Sequence, residues 1–314
     1  MSYPVGDDPW GLALGDVNGD GRLDVVVANS NSGNVSILLQ NPAQSGSFLP
    51  AQNVTTGGTP YSVAISDING DGSADLAVAL QNTGGGAVVL LQNPVVPLSF
   101  LSPIHLSNGT GALSVAVGDL NHDGRPDIAI DANSAVDVFF QDSTGGTFGA
   151  AVQFVAGNRP VSVAIADVNT DGFNDLVLAN GGRTNDGSGA SVSVLSQNST
   201  GPGNFLTAVT YPVPNEAWQL AVGQLMGGPA PDIAVISLVF QHNGEPSKVS
   251  ILQNQGAGSF VAGQVLTGPL NGNFIAVGDV NGDGLPDLVV NDGPQVMLQN
   301  ISSPGNFKTV IPLP

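Results

Sequence analysis

The chain has 314 residues, of which 41% are hydrophobic and only 10% are charged, against roughly 25% in an average soluble protein. Its 25 acidic and six basic residues give a formal net charge of −19, which argues against a nucleic-acid partner and an anionic membrane surface. Cysteine is absent, which excludes disulfides and thiolate metal sites.

The sequence also gives no sign of a segment that enters a membrane. No window approaches about 18 uninterrupted apolar residues, the length that a membrane-spanning helix needs. The first ten residues, MSYPVGDDPW, have neither the basic region nor the apolar region of a secretory signal. We therefore expect no membrane insertion and no signal peptide within this sequence.

One acidic phrase recurs along the chain, first as GDVNGDGRLDVVVA at residues 15–28. Each copy is followed by a phrase such as VSILLQN and then by small residues and a Phe, and six such units cover nearly the whole chain. The repeat units are predicted at 10–60, 61–112, 113–160, 161–217, 218–272 and 273–314. Successive copies begin 48 to 57 residues apart, and the copy that begins at Gln224 is degenerate. The first Asp of the other five copies is Asp16, Asp67, Asp119, Asp167 and Asp279.

Each unit contains the pattern of four short strands, in the same order. The first strand alternates, as in GLALG, and the second follows the acidic loop as an apolar run, as in DLAVA. The third strand ends at the Gln phrase, and the fourth follows the Phe. Four-stranded units that recur at this spacing are typical of a β-propeller. The sequence therefore predicts an all-β fold, a single β-propeller domain over 1–314 with six four-stranded blades.

The Phe and Gln that recur in every unit are predicted to be structural. We expect the Phe to fill the layer between blades and the Gln to bond to neighbouring backbone. The Gln residues are Gln40, Gln92, Gln141, Gln197, Gln253 and Gln299.

The acidic loop between the first and second strands has the oxygen spacing of a calcium site. Side-chain oxygens stand at positions 1, 3, 5 and 9, and a Gly stands at position 6 where the loop must bend. Three crowded carboxylates repel one another, whereas Ca²⁺ prefers six to eight hard oxygen ligands, including a backbone carbonyl at position 7. About five Ca²⁺ ions are therefore predicted. The ligand sets are Asp16, Asn18, Asp20, Arg22 and Asp24; Asp67, Asn69, Asp71, Ser73 and Asp75; Asp119, Asn121, Asp123, Arg125 and Asp127; Asp167, Asn169, Asp171, Phe173 and Asp175; and Asp279, Asn281, Asp283, Leu285 and Asp287.

A simple hairpin turn is the alternative interpretation of the acidic loop, because Asn and Gly tolerate a positive φ. Five copies keep more acid than a turn requires. The fifth unit, with Gln224, Met226 and Gly228 at positions 1, 3 and 5, keeps only Asp232 and is predicted to hold no calcium. Its strand phrases persist, so the strands define the fold and the ions are expected to brace the loops.

These motifs resemble the FG-GAP/VCBS repeat family, the calcium-loop propellers of integrin α chains and many secreted bacterial proteins. The resemblance covers essentially the whole chain, although the GAP tripeptide is absent and GSF, GTF or GNF replaces the FG phrase. Integrin heads carry seven blades, so seven is the alternative to the six counted here. The resemblance implies an extracellular or periplasmic calcium-stabilised scaffold for cell adhesion or protein interaction, and it implies no particular activity.

A protein or glycan ligand is expected on the face opposite the calcium loops, where the connections vary most. Two long connections, 179–190 and 237–248, belong to adjacent blades, and three aromatic residues are expected just before innermost strands. The candidate ligand-binding residues are Trp10, Tyr61, Trp218, Arg183, Asp186 and His242.

Three function classes remain open at this point. The first is a binding or adhesion scaffold, the second is a carbohydrate-binding lectin, and the third is the scaffold of a polysaccharide-active enzyme. No catalytic constellation is found, so the chain is predicted not to be an enzyme. A monomer is the default expectation.

Overall fold

The computed structural model describes residues 1–82, 84–182, 188–238, 247–267, 272–291, 295–299, 305–307 and 311–312. Every regular element within these ranges is a β-strand, and they contain no helix long and apolar enough to cross a membrane. The chain divides into two compact units, residues 1–132 with 136–154, and residues 133–135 with 155–314.

The first unit carries three antiparallel four-stranded sheets, each with its strands in chain order from the innermost outward. These strands are β1 (Pro9–Gly15), β2 (Asp24–Asn29), β3 (Asn34–Leu38) and β4 (Gln52–Thr55) in blade 1; β5 (Pro60–Ser66), β6 (Asp75–Leu80), β7 (Gly86–Leu90) and β8 (Ile104–Ser107) in blade 2; and β9 (Val115–Gly118), β10 (Asp127–Ala132), β11 (Ala135–Phe139) and β12 (Val152–Val155) in blade 3.

The second unit repeats this arrangement in three further sheets. These strands are β13 (Pro160–Ala166), β14 (Asp175–Asn180), β15 (Ser191–Leu195) and β16 (Val209–Pro212) in blade 4; β17 (Glu216–Gly223), β18 (Asp232–Leu238), β19 (Lys248–Asn254) and β20 (Phe260–Thr267) in blade 5; and β21 (Ile275–Gly278), β22 (Asp287–Val290), β23 (Gln295–Met297) and β24 (Ile311–Pro312) in blade 6.

The fold is a six-bladed β-propeller with four-stranded blades, as the repeat count predicted. The second and third strands of a blade are its most buried elements, and all six residues of β6, β10 and β14 are buried. Apolar side chains of the second and third strands fill the layers between consecutive blades of one unit, for example Val26 with Val78 and Val177 with Val235. The continuous apolar runs of the sequence are therefore strands that are covered on both faces.

The acidic loop of each blade joins the innermost strand to the second strand. In blade 1 the register pairs Gly15 with Asp24, so the loop spans the eight residues between them, and the same pairing recurs as Ser66 with Asp75. Position 9 of the loop is thus the first residue of the second strand. The strand pairing fixes both ends of the loop before any ligand is considered.

The last blade takes its outer strand from the C-terminal segment, because Ile311 pairs with Val296. The N-terminal segment lies against blade 1 instead. The Tyr3 hydroxyl accepts a hydrogen bond from the Phe48 N–H at 3.1 Å, and the two rings are in edge contact. Tyr211 makes the same contacts with Phe260 in the second unit. Phe48 and Phe260, two of the recurring Phe residues, are thus packing residues.

Two details of the sequence-based placement were wrong. Trp10, Tyr61 and Trp218 lie inside innermost strands rather than before them, at irregular positions where the register shifts. In blade 5 the residue equivalent to the recurring Gln is Asn254, which pairs with Phe260 as Gln40 pairs with Phe48 in blade 1. The Gln253 side chain therefore does not have the predicted role.

Candidate metal centres

The acidic loops owe their shape to glycine at position 6 and to backbone N–H groups that point inward. Each of these glycines has a positive φ, between 81° and 88°, and a side chain there would be strained. In loop 1 the Gly21 N–H donates to Asp16 Oδ2 at 2.7 Å. The same bond recurs in the other four loops, at Gly72, Gly124, Gly172 and Gly284.

Side-chain oxygens at positions 1 and 3 converge on one point of the loop. The Asp20 N–H lies 3.0 Å from Asp16 Oδ1 and 3.0 Å from Asn18 Oδ1, so the two oxygens share one donor. The Asn18 amide in turn lies 3.1 Å from Asp20 Oδ2, which brings the position-5 carboxylate into the same group. All five loops repeat the shared donor, which is the backbone N–H of Asp20, Asp71, Asp123, Asp171 or Asp283.

The carboxylate at position 9 has a different environment, since it is buried and bonded to backbone. Asp75 is fully buried and accepts hydrogen bonds from the Ile68 N–H at 2.9 Å and the Gln92 N–H at 2.7 Å, one on each oxygen. Loops 1, 3, 4 and 6 have the same pair of bonds, on Asp24, Asp127, Asp175 and Asp287. This residue ties the start of the loop to the end of the third strand.

Burial raises the pKa of two carboxyl groups at position 9, whereas backbone donors lower the pKa of one carboxyl group at position 1. Desolvation raises the pKa of Asp127 and of Asp175 to about 6, despite the N–H groups that favour the charged form. At position 1, hydrogen bonds from the Gly284 and Gly282 N–H groups hold the pKa of Asp279 below its usual value. Asp279 is thus held ionised by the loop backbone, whereas Asp127 and Asp175 are charged at a cost that a nearby cation would reduce.

The loop of blade 5 keeps the backbone tie and loses the oxygen cluster. Asp232 accepts from the Asn254 N–H at 2.8 Å, as position 9 does from the equivalent residue elsewhere. Within its loop it accepts from the Met226 N–H at 2.6 Å, at position 3, where the other loops use position 2. Position 6 is Pro229, which has no N–H to donate, and position 1 is Gln224. The buried Asp at position 9 is therefore a structural clamp that does not depend on a metal.

The donor set at positions 1, 3 and 5 fits a hard divalent cation, because two carboxylates and one amide oxygen are gathered within one turn. Within the described ranges no group of three or more His, Cys, Asp or Glu side chains forms a metal cluster. The third carboxylate, at position 9, differs from the others in being fully buried in the start of the second strand. A cation at these loops would share oxygens that already accept N–H bonds, at position 1 as well as at position 9.

Two of the predicted ligand-binding aromatics form a pair in the first unit. The Trp10 and Tyr61 rings stack with their centroids 4.7 Å apart and their planes 20° from parallel. The Trp10 indole N–H donates to Asp8 Oδ2 at 3.1 Å, and the Ser30 hydroxyl donates to the same oxygen at 2.6 Å. Burial, and then the charge of Asp8, raises the pKa of Tyr61. The pair is half-buried and held in place on one side.

Four predicted ligand-binding residues remain, one of them in the second unit and three outside the described ranges. Trp218 belongs to the second unit, where it packs against a core that includes Leu225 and Ile275. Arg183, Asp186 and His242 lie outside the described residues.

The loop and strand pattern identifies the class of protein to which the chain belongs. The family model described as FG-GAP-like repeat matches residues 16–78, 67–130 and 229–290, together more than half of the chain. The chain belongs to the FG-GAP-like repeat family, which confirms the resemblance inferred from the acidic loops.

Among curated proteins, the chain is similar to integrin α chains. Integrin alpha-7 of Rattus norvegicus is 41% identical over 87 residues, which cover 24% of this chain and 8% of the integrin. Integrin alpha-7 of Homo sapiens is 40% identical over a stretch of the same length, which covers 7% of that protein. The likeness thus concerns a small part of each integrin.

Solved structures extend the likeness to nearly the whole fold. A functionally unknown protein from Desulfotomaculum acetoxidans aligns over 98% of this chain and 86% of its own, with a TM-score of 0.63 and 18% identity. A proposed 6-phosphogluconolactonase from Bacteroides uniformis aligns over 98% and 85%, with a TM-score of 0.67 and 13% identity. At these identities the comparison establishes the fold and no activity.

Proposed function

We propose that the chain is a calcium-stabilised binding scaffold that works outside the cytoplasm. The integrin-like FG-GAP propeller supports a protein-interaction role. Calcium is supported by one observation above all. A cluster of oxygens at positions 1, 3 and 5 recurs in five loops and is missing from the loop of blade 5, while the strands of all six blades persist. The loops use the ions as braces, and the partner, a protein or a glycan, binds on the opposite face.

An extracellular or periplasmic location follows from the same reasoning. Exposed loops with neutral Asn at position 3 and no bidentate Glu resemble weak sites, and extracellular calcium modules work at dissociation constants of about 10⁻⁴ to 10⁻³ M. Only compartments with millimolar calcium fill such sites.

A calcium titration by isothermal calorimetry tests the proposal. The wild type is expected to bind about five ions, and Asp20→Ala, which removes an oxygen ligand from loop 1, is expected to bind one fewer. Gly228→Ala changes the equivalent position of the degenerate loop and is the matched control, with unchanged stoichiometry. Equal stoichiometry in the wild type and the Asp20→Ala variant would contradict the assignment of loop 1.

A carbohydrate-binding lectin is the second candidate, and the stacked Trp10 and Tyr61 pair beside Asp8 favours it. Aromatic faces stack on sugar rings, and a carboxylate accepts hydroxyl hydrogen bonds. Screening on a glycan array tests this function, with Trp10→Ala as the variant expected to lose binding. Leu12→Ala, on the same strand at a 62% exposed side chain, is its control. Equal glycan signals in the wild type and the Trp10→Ala variant would contradict the lectin function.

An enzyme scaffold is the weakest of the three functions. The integrin likeness favours a scaffold without activity, whereas the proposed lactonase shares only the fold at 13% identity. Turnover of polyanionic polysaccharides by the purified chain would overturn the non-enzymatic interpretation.

A further inference from the structure

Three acidic loops, those of blades 1, 2 and 4, are each tied to the blade that follows in the chain, through a buried side-chain amide. In blade 2 the Gln92 amide is 3% exposed and donates to Val17 O, at position 2 of loop 1, at 3.1 Å. In blade 3 the Gln141 amide donates to Ile68 O, at position 2 of loop 2, at 2.7 Å. Both amides also donate to the loop of their own blade, at Ala74 O and Pro126 O respectively.

Position 2 of a loop is thereby held from two sides. The Ile68 N–H donates to Asp75, within its own blade, and Ile68 O accepts from Gln141 of the next blade. Position 2 lies between the ligand residues at positions 1 and 3. The amide of the following blade therefore fixes the backbone from which two of the oxygen ligands project.

The turn after the third strand adds a second contact between a loop and the next blade. A Cβ added at Gly258 of blade 5 would lie 3.2 Å from Asn169 Cβ, at position 3 of loop 4. A Cβ added at Gly146 of blade 3 would lie 3.5 Å from Asn69 Cβ, at position 3 of loop 2. The position-3 ligand is thus packed against a neighbouring blade.

Blade 5 keeps the amide contact to the preceding loop, although its own loop lacks the metal ligands. It has lost the oxygen ligands at positions 1, 3 and 5, yet its buried Asn254 donates to Val168 O of loop 4 at 2.7 Å and to Pro231 O of its own loop at 2.9 Å. Its own loop has no metal to position. Any role of the Asn254 amide in metal binding therefore concerns the loop of blade 4.

We propose that Asn254 is a positioning residue for the cation site of blade 4, held across the blade boundary, as Gln92 and Gln141 are for the sites of blades 1 and 2. The inference rests on the calcium sites proposed above. It means that a site consists of one loop and one amide from the next blade, so a metal-free blade still contributes to metal binding.

Hydrogen–deuterium exchange of the full chain, followed loop by loop during a calcium titration, tests this inference. In the wild type, calcium is expected to protect the segment 167–175 of loop 4 and the segment 279–287 of loop 6. Asn254→Ala removes the amide and leaves two buried carbonyls without a donor, so the calcium midpoint for loop 4 is expected to rise by about threefold to tenfold. The midpoint for loop 6 is expected to stay unchanged.

The control is Gln253→Ala, which alters the adjacent half-exposed side chain and is expected to move neither midpoint. Asn254→Gln introduces the amide that the other blades use and is expected to keep the loop 4 midpoint within about twofold of the wild type. Should Asn254→Ala fail to fold, Gln141→Ala tests the same relation on loop 2, at residues 67–75.

Two results would overturn the inference, and they differ. If calcium protects the loops of the wild type but the loop 4 midpoint is the same in Asn254→Ala, the positioning role is wrong and the calcium sites stand. If calcium protects no loop of the wild type, the calcium sites are wrong and the positioning role is lost with them.

Discussion

The arginines at position 7 give two loops a positive charge of their own. Arg22 lies 3.1 Å from Asp20 Oδ2, and Arg125 forms an ion pair with Asp123. The other loops have Ser73, Phe173 and Leu285 at this position. An incoming cation must compete with the guanidinium for the position-5 carboxylate and is repelled by it. Loops 1 and 3 are therefore expected to bind calcium less tightly than loops 2, 4 and 6.

Exchanging these side chains between two loops tests the competition. Arg22→Ser is expected to tighten calcium binding at loop 1 by about twofold to fivefold, because an exposed ion pair is worth little in water. Ser73→Arg is expected to weaken loop 2 to a similar extent. Loop-resolved hydrogen exchange during a calcium titration measures both, and unchanged midpoints in both variants would contradict the competition.

Residue spacing was enough to locate the oxygens at positions 1, 3 and 5 in one turn, because these side chains and the position-6 glycine act locally. The calcium ligand sets themselves stay a prediction. The equivalence of Asn254 to the recurring Gln was not predicted, because the phrase VSILQN of blade 5 is one residue shorter than VSILLQN of blade 1. Counting five residues from Val35 reaches Gln40, and counting five from Val249 reaches Asn254. The clamp at position 9 was not predicted either, since its partners, such as Gln92 N for Asp75, come from a different strand.

At the scale of elements, blade 3 carries an acid inside its second strand where blade 6 carries an amide. Asp131 is 4% exposed and accepts from the Leu113 and Ser114 N–H groups at 2.8 and 2.7 Å. Asn291, at the same distance from position 9, accepts from the N–H groups of Asn273 and Phe274. Both side chains hold the segment that leads into the innermost strand.

Stability of the metal-free protein should depend on the protonation of Asp131. Desolvation, opposed by the two N–H donors and reinforced by the nearby Asp137, raises the pKa of Asp131 to about 7. The folded state therefore holds a proton between pH 3.8 and about 7 that the unfolded chain releases. The contribution of this group to stability is greatest below pH 3.8 and is lost as the pH rises through about 7.

Asp131→Asn places in blade 3 the side chain that blade 6 already uses, and it cannot ionise. At pH 8 the variant is expected to be more stable than the wild type by about 2 kcal/mol in its free energy of unfolding, and at pH 4 the gain should largely vanish. Urea denaturation in chelator at the two pH values measures this. A gain of the same size at both values would show that ionisation is not the cause.

The innermost strands have a feature that the sequence pattern does not predict, namely a shift of the strand register. Alternation located the strands, but the register shifts at Trp10, Tyr61 and Trp218 leave no mark in an alternating sequence. Stacking of Trp10 on Tyr61 depends on those shifts and on the approach of two blades, in which a Cβ at Gly11 would lie 2.5 Å from Tyr61 O. Such contacts arise between elements and cannot be read from one of them.

For the whole molecule, the proposed calcium ions are expected to raise stability, because they would offset part of the formal net charge of −19. A ligand that binds only the folded state stabilises it, and calcium at about twentyfold above its dissociation constant contributes roughly 2 kcal/mol per site. Removing calcium is expected to lower the melting temperature substantially. Magnesium, which prefers a tighter octahedron and retains water, should restore less of the loss.

Differential scanning calorimetry in millimolar calcium, in chelator and in millimolar magnesium measures these differences. Sodium chloride at matched ionic strength is the control for screening of the acidic surface. A melting temperature that is the same in calcium and in chelator would count against bound ions at the loops.

The tie between a loop and the following blade has a consequence for how such arrays change over time. A gene built from copied segments can let one copy decay in its acidic loop, provided that this copy retains the Asp and the amide on which its neighbour depends. Blade 5, with Asp232 and Asn254, is such a copy. A protein engineer could follow the same route, emptying chosen loops one after another while leaving every amide in place.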